Sequence, residues 1–247
     1  DVKKVSITTT NFEGNKATTS HGGAIAIDKL KDGVQNNGIT IDDSTFKGNS
    51  ASQGGAIYTY RDLTITDTNF IGNTSSGFGG AIFADAAVTI EADEADVTFS
   101  GNKSGTDAKN VAPVRYAKTG DAIYVQTRGS LTFAAAKNRV IDVADAIVSN
   151  PTATTAIIIN SNNKGTVKFG DLSGYVGQLN VQSGKTVVAG GIGEYDITTQ
   201  ANQNAATKTT SDPVVAGNVQ TVVSVTGGSL EFGDVVINRS AGETAGT

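Results

Sequence analysis

Residues 63–83, LTITDTNFIGNTSSGFGGAIF, carry the pattern that decides the fold. Three pieces follow one another: an alternating strand with Leu63 and Ile65 on one face, the tetrad FIGN at 70–73, and the tetrad GGAI at 79–82. The same pieces recur in the same order through the first half of the chain. Self-similarity of this kind indicates a repeat protein in which each unit packs on the next.

The two tetrads alternate along the chain. Phe-x-Gly-Asn contributes the repeat residues Phe12, Asn15, Phe46, Asn49, Phe70, Asn73, Phe99 and Asn102. Gly-Gly-Ala-Ile contributes Gly22, Gly23, Ala24 and Ile25, then Gly54, Gly55, Ala56 and Ile57, then Gly79, Gly80, Ala81 and Ile82, with a degenerate copy at 120–123. Ile41 and Ile65 are 24 residues apart, whereas Ile7 and Ile41 are 34 apart because 28–38 adds a turn. A short basal unit with loops of variable length is typical of a solenoid.

The residues between these tetrads predict an all-β protein. Thr, Val and Ile favour pleated strands, while Gly and Asn favour tight turns. Strands coiled and stacked at a spacing of about 4.8 Å form a parallel β-helix, or β-solenoid, and about ten such coils are expected here. We expect the phenylalanines to stack in the core, the asparagines to form a ladder at one corner, and Gly-Gly to allow close backbone approach at another. Helical repeats are excluded because amphipathic helical spacing is absent.

The repeat changes near residue 130. Residues 1–130 are predicted to be a regular β-helix, and 131–247 a less regular continuation with a polar C-terminal tail. Strands are expected within 130–148, 155–160, 165–169, 178–182, 185–190 and 221–238, and a polar loop at 204–212.

Composition narrows the function classes. The chain has 247 residues, a net charge of −5 and no Cys, which argues against a nucleic-acid surface and excludes disulfides and thiolate metal sites. No apolar run reaches the roughly 20 residues of a membrane span, so no membrane insertion is predicted. The glycine pairs lack the Lys-Ser/Thr of a phosphate loop, and no cofactor or metal is predicted.

The alternation of GGAI with Phe-x-Gly-Asn resembles the polymorphic membrane proteins of chlamydiae. This resemblance covers 1–125 strongly and the later strands more weakly. It implies a right-handed parallel β-helix that serves as an autotransporter passenger, on the bacterial surface and outer membrane or secreted. It also implies a non-catalytic adhesin that binds a protein or glycan of the host-cell surface, or the matrix, and that can self-associate. A self-associating biofilm, filament or surface-layer subunit is one alternative, and a polysaccharide-degrading β-helix enzyme is another.

The candidate binding residues lie beside the tetrads. The tetrad residues themselves have sufficient structural roles in core and turns. If Ile57 and its equivalents face inward, strand alternation turns the next residue outward. The predicted surface stripe then comprises Tyr58, Phe83 and Tyr124, with Tyr60 and Arg61 nearby. The opposite register would bury these aromatic side chains.

Two groups of residues suggest a chemical site, and each also has a simpler interpretation. Glu91, Asp93, Glu94 and Asp96 could bind Ca²⁺, which prefers oxygen ligands, but they lack the spaced glycine of calcium loops, so an acidic solvated loop is predicted. The single histidine, His21, has no recurring carboxylate beside it, so no catalytic residue is predicted.

Overall fold

The computed structural model describes residues 5–29, 38–105, 121–150, 155–160, 164–172, 174–175, 177–190 and 222–232. Over these residues the regular structure is β-strand, and the paired strands run parallel. The predicted all-β parallel β-helix is therefore confirmed. No helix in the described part of the chain is long and apolar enough to cross a membrane.

The first four coils contain up to four strands each. Their strands in chain order are β1 (Val5–Thr8), β2 (Asn11–Glu13) and β3 (Ile25–Ile27); β4 (Ile39–Asp42), β5 (Thr45–Lys47), β6 (Ser50–Ala51) and β7 (Ile57–Thr59); β8 (Leu63–Thr66), β9 (Asn69–Ile71), β10 (Thr74–Ser75) and β11 (Ile82–Ala84); and β12 (Ala87–Ala92), β13 (Val97–Ser100), β14 (Lys103–Ser104) and β15 (Asp121–Val125).

The later coils contain two strands each among the described residues. They are β16 (Ser130–Ala135) and β17 (Val140–Ser149); β18 (Ala156–Asn160) and β19 (Thr166–Asp171); β20 (Gln178–Ser183) and β21 (Lys185–Val188); and β22 (Val222–Val225) and β23 (Ser229–Phe232). These are close to the strands that the sequence predicted. The predicted loop at 204–212 and the polar tail from 233 lie outside the described residues.

The first strand of every coil joins one eight-stranded parallel sheet, in the order β1-β4-β8-β12-β16-β18-β20-β22. The described residues thus form eight coils rather than about ten, and seven steps of about 4.8 Å give a length of roughly 34 Å. β12 pairs with β16 across residue 130 without a break, so the strands of both halves share this sheet. The division at residue 130 into two segments stays a prediction.

At β17 the number of strands in each coil falls from up to four to two. The first part of β17 pairs with β13, with Val97 opposite Ile141, and its last part pairs with β15, with Ile123 opposite Ile147. The single strand β17 therefore forms two sides of its coil, whereas each of the first four coils uses a separate strand for each of these sides. The three-stranded corner sheet β14-β10-β6 has no further member among the described strands.

The core is built from columns of side chains that repeat from coil to coil. Ile41, Ile65 and Ile90 stand in register and are fully buried. The predicted phenylalanine stack is confirmed: the ring centroids of Phe12–Phe46, Phe46–Phe70 and Phe70–Phe99 are 4.6, 4.9 and 4.6 Å apart, with nearly parallel planes. Stacked rings contribute beyond the area that they bury.

Candidate binding surface

The asparagines of the Phe-x-Gly-Asn tetrads form the predicted ladder. The Asn73 Oδ1 accepts hydrogen bonds from the backbone N–H and the Nδ2 of Asn49, at 3.0 and 2.9 Å. The Asn73 Nδ2 donates to Phe46 O and to the Oδ1 of Asn102, both at 2.9 Å. Both lone-pair positions and both amide protons are used, so the side chain is satisfied although it is fully buried.

Asp145 takes the place of the next asparagine. Its Oδ2 accepts from the backbone N–H and the Nδ2 of Asn102, both at 2.9 Å, and its Oδ1 accepts from the Gly101 N–H at 2.9 Å. A carboxylate accepts and does not donate, so it ends a ladder whose members each donate to the following coil. Sequence analysis missed this residue because its stretch, VADAIV, carries no copy of the tetrad.

The glycine pairs work as predicted. The first glycine of each pair has a left-handed backbone, with φ of +62°, +59° and +67° at Gly22, Gly54 and Gly79. At the second position there is no room for a side chain, because a Cβ on Gly55 would overlap the backbone oxygens of Gly80 and Thr74. The tetrads thus have structural work in every coil where they occur. Whether they also contribute to adhesion stays a prediction.

The predicted aromatic stripe is only half right. Ile57, Ile82 and Ile123 do face the core, and the following aromatic residues lie on the outer face of the same strands. However, Tyr58, Phe83 and Tyr124 are each only 3% exposed, so they do not form a surface stripe.

Burial of these three rings has a clear cause. They stack on one another, with centroids 4.9 Å apart for Tyr58–Phe83 and 5.4 Å for Phe83–Tyr124. The ring of His21 stacks on Tyr58 and that of Phe78 on Tyr124, each at 4.4 Å. Both covering residues directly precede a Gly-Gly pair, a signal in the sequence that could have predicted the second layer.

Two members of the predicted set remain at the surface. Tyr60 is half-buried, with its ring edge-on to Tyr58 at 5.1 Å, and Arg61 is half-buried beside it. The Nζ of Lys29 lies 4.7 Å from the centre of the Tyr60 ring, and the guanidinium of Arg128 lies 5.4 Å from it. Cations at these distances are attracted to the ring face.

The pKa values of three side chains in this region are shifted by burial or by a hydrogen bond. Burial raises the pKa of Tyr58, and a hydrogen bond with Tyr60 adds to the effect. Burial also raises the pKa of Tyr124 to about 12, with a contribution from the Asp121 charge. The hydrogen bond to Asp85 raises the pKa of Arg128; its NH2 lies 2.7 Å from the Asp85 Oδ2. Tyr58 and Tyr124 therefore stay neutral, and Arg128 stays charged, at neutral pH.

Asp121 is a buried carboxylate in the degenerate fourth copy of GGAI. It stands where the other copies have the second glycine, and it is 1% exposed. Its Oδ2 accepts a hydrogen bond from the Gly79 N–H at 2.7 Å. Burial raises the pKa of this carboxyl despite the hydrogen bonds from Ser104 and Gly79.

An acidic groove of about 710 Å³ lies at another corner of the coils, and its lining includes Asp42, Asp43, Asp67, Glu91, Asp93 and Glu94. Asp67 is its most buried carboxylate, and its oxygens accept from the N–H groups of Asp93 and Glu94 at 2.8 and 2.9 Å. In the predicted acidic loop, Asp93, Glu94 and Asp96 are exposed. Within the described ranges, no group of three or more acidic or histidine side chains is arranged to hold a metal ion.

Comparisons with known proteins agree with the repeats. A model of the Chlamydia polymorphic membrane protein repeat matches residues 9–28, 43–60 and 67–85. The chain is 37% identical over 118 residues to a probable outer membrane protein, pmp20, of Chlamydia pneumoniae; this match covers 43% of the chain and 6% of that relative. No solved structure matches the chain. The similarity supports the predicted outer-membrane or cell-surface location. The coils that carry GGAI and Phe-x-Gly-Asn are therefore repeats of the chlamydial polymorphic membrane protein type.

Proposed function

We propose that this chain is the adhesive part of a surface-displayed passenger and binds a protein or glycan on host cells. One observation carries the proposal: the repeat side chains are used within the scaffold, and the half-buried Tyr60 and Arg61 remain on the outside. Aromatic and Arg side chains are enriched where proteins bind partners. The similarity to a surface protein supplies the setting.

The proposed mechanism is that the β-helix acts as a rigid scaffold that presents its outer side chains to the ligand. The ladder and the stacked rings hold each coil against the next, so that side chains on the outside keep a constant spacing. Such preorganisation lowers the entropy that is lost on binding. Binding to a ligand, without chemical conversion, is what these residues support.

The alternative function, a polysaccharide-degrading enzyme, is tested directly by looking for reaction products. The single histidine, His21, is engaged in structural contacts: its Nδ1 lies 3.1 Å from Ser52 Oγ, and its ring stacks on Tyr58. We expect no product release when the chain is incubated with a panel of acidic polysaccharides. Release of oligosaccharides would replace adhesion by catalysis as the function.

The proposal is tested by binding of the purified full chain to epithelial cells, measured by flow cytometry. The double variant Tyr60→Ala/Arg61→Ala is expected to lose at least tenfold in apparent affinity. The matched control is Arg139→Ala, a half-buried arginine in a turn of the later coils. Absence of cell binding by the unmodified chain, or equal loss in the control, would contradict the proposal.

Self-association is the second candidate, and one observation favours it. In the last described coil, Val223, Val225 and Phe232 are 40%, 48% and 46% exposed. They lie in line with the core columns of Val5, Ile7 and Phe12, and a second copy of the chain that packs on this apolar face would bury them. Sedimentation velocity over a concentration series should show larger species for the intact chain and fewer for Val225→Ser/Phe232→Ser. A monomer at all concentrations would rule this out.

A further inference from the structure

We infer that the outer corner next to the buried aromatic rings binds a neutral glycan chain lying along the solenoid axis. This inference rests on the proposed function and specifies the class of ligand. The residues concerned are called the ridge, and they are Asp28, Tyr60, Asp85, Gln126 and Asn150, one from each of five successive coils, flanked by Lys29 and Arg128.

The ridge is a true column, because backbone hydrogen bonds place its members in register. The Tyr60 N–H donates to Ile27 O at 2.9 Å, and the Asp85 N–H donates to Thr59 O at 2.9 Å. The N–H groups of Gln126 and Asn150 make equivalent bonds one and two coils further on, both at 2.8 Å. Ridge residues therefore recur at the coil spacing of about 4.8 Å.

The ridge side chains are held in place by their neighbours. Asn150 Nδ2 donates to Gln126 Oε1 at 2.5 Å, and Arg128 NH2 donates to Asp85 Oδ2 at 2.7 Å. Beneath them lies the buried column of Tyr58, Phe83 and Tyr124, which gives the corner a rigid base. A site whose polar groups are already positioned loses little entropy when a ligand binds.

The chemistry of the ridge matches hydroxyl groups. Carboxylates accept, the guanidinium donates, and side-chain amides do both, as a polyhydroxylated ligand requires. The C–H groups of a sugar ring can pack on the Tyr60 ring once the exposed Lys29 side chain, which lies over the ring at 4.7 Å, moves aside. Adjacent sugar units of an extended chain are separated by a distance similar to one coil, so neighbouring units can meet equivalent positions.

The charges of the ridge favour a neutral ligand. Lys29 and Arg128 are balanced by Asp28 and Asp85, and the chain as a whole carries −5. A polyanion such as heparan sulfate would be repelled by this net charge. A protein partner usually requires an apolar centre to the interface, and no large exposed apolar side chain occurs among the described ridge residues.

The test is isothermal titration of the full chain with two neutral oligosaccharides, tri-N-acetyllactosamine and chitohexaose, and with a heparan sulfate hexasaccharide. We expect binding to at least one neutral probe and none to the sulfated one. Gln126→Ala and Tyr60→Ala should each weaken binding at least tenfold, while Arg139→Ala leaves it unchanged. Gln126→Ala guards against loss of binding through misfolding, because Gln126 is half-buried outside the aromatic stack.

Several outcomes would overturn the inference: no neutral binding at millimolar oligosaccharide, binding of the sulfated probe alone, or full affinity in both ridge variants. A cell assay separates this inference from the proposed function. Cell binding that survives glycosidase treatment but not protease treatment keeps adhesion and rejects the glycan. Oligosaccharide binding by a chain that does not bind cells keeps the glycan and rejects adhesion.

Discussion

The first four coils and the last four share one eight-stranded sheet but close their circuit differently. In the first four, the chain passes the phenylalanine column, turns at the asparagine and crosses a corner before the GGAI strand. In the fifth coil, β17 covers both sides in ten residues. Asp145 stands at the bend of β17, and Ala146 directly after it pairs with Asp121 of the preceding coil.

This difference shows what the two tetrads encode. Phe-x-Gly-Asn and GGAI specify the wider coil, with its left-handed glycine turns and its satisfied buried amide. The β-helix itself needs only the alternating strands, which continue after the tetrads stop. Substitutions in the wider coils should therefore change stability differently from substitutions in the later coils.

The largest effect is expected for removal of a ladder amide. Asn73→Ala leaves the backbone N–H and one Nδ2 proton of Asn49 without an acceptor in a buried environment, which should lower the free energy of unfolding by about 3–5 kcal/mol. Asn180→Ala in the later coils, where the side chain is half-buried, should change it by less than about 0.5 kcal/mol. Urea unfolding followed by circular dichroism measures both. Equal losses of stability in Asn73→Ala and Asn180→Ala would mean that the asparagine ladder does not stabilise the first four coils more than an ordinary half-buried asparagine stabilises the later ones.

A smaller loss is expected at the boundary between the regions. Asp145→Asn replaces one acceptor oxygen by an amide that faces a backbone N–H, so we expect a loss of about 2 kcal/mol. Asp142→Asn on the same strand is the control and should be nearly neutral. Hydrogen exchange of the Gly101 and Asn102 amides should accelerate only in the first variant. Unchanged exchange there would show that Asp145 does not end the ladder.

The two kinds of aromatic packing should differ by about 1 kcal/mol. Phe70 stacks face to face with a ring on each side, whereas Phe169 meets Phe133 edge-on at 5.1 Å. Phe70→Leu should therefore destabilise more than Phe169→Leu, although both rings are buried. Thermal unfolding of the two variants measures the difference. A greater loss at Phe169 would reverse the argument.

The smallest changes in the free energy of unfolding are expected at two buried threonines, one in each region, and the two changes should have opposite signs. Thr186 is fully buried in a core column, and its Oγ1 has no hydrogen-bond partner. Thr186→Val should raise the free energy of unfolding by about 0.5–1 kcal/mol. Thr59, equally buried, donates to Arg61 O at 2.6 Å, so Thr59→Val should lower it by about 1 kcal/mol. The same sign for both in urea unfolding would contradict this account.

The sequence predicted what repeats and missed what occurs once. Strand alternation and the two tetrads were sufficient for the sheet, the phenylalanine stack and the asparagine ladder, because each is a local pattern multiplied by stacking. Asp145 was missed because it replaces a repeat residue by a different type at a position that only the register reveals. Asp121 lies in the degenerate GGAI copy that the sequence shows, but its burial and the hydrogen bond that it accepts from Gly79 depend on contacts between coils.

The candidate surface was harder to predict for another reason. Alternation tells which face of a strand a side chain occupies, but not what lies over that face. Tyr58 and Phe83 are on the predicted outer face, yet residues from the preceding turn and from neighbouring coils cover them. Tyr60, two positions after Tyr58, is only half-buried and lies at the edge of the buried aromatic cluster. Its exposure depends on contacts between coils rather than on one stretch of sequence.

The one-directional ladder makes rod length adjustable by gene duplication. Each asparagine receives the same bonds from the coil before and makes the same bonds to the coil after, so a copied segment of about one coil can be inserted without a new interface. The carboxylate of Asp145 keeps the terminus the same however many copies precede it. Recombination between such segments would lengthen or shorten the rod while leaving the coils on either side intact.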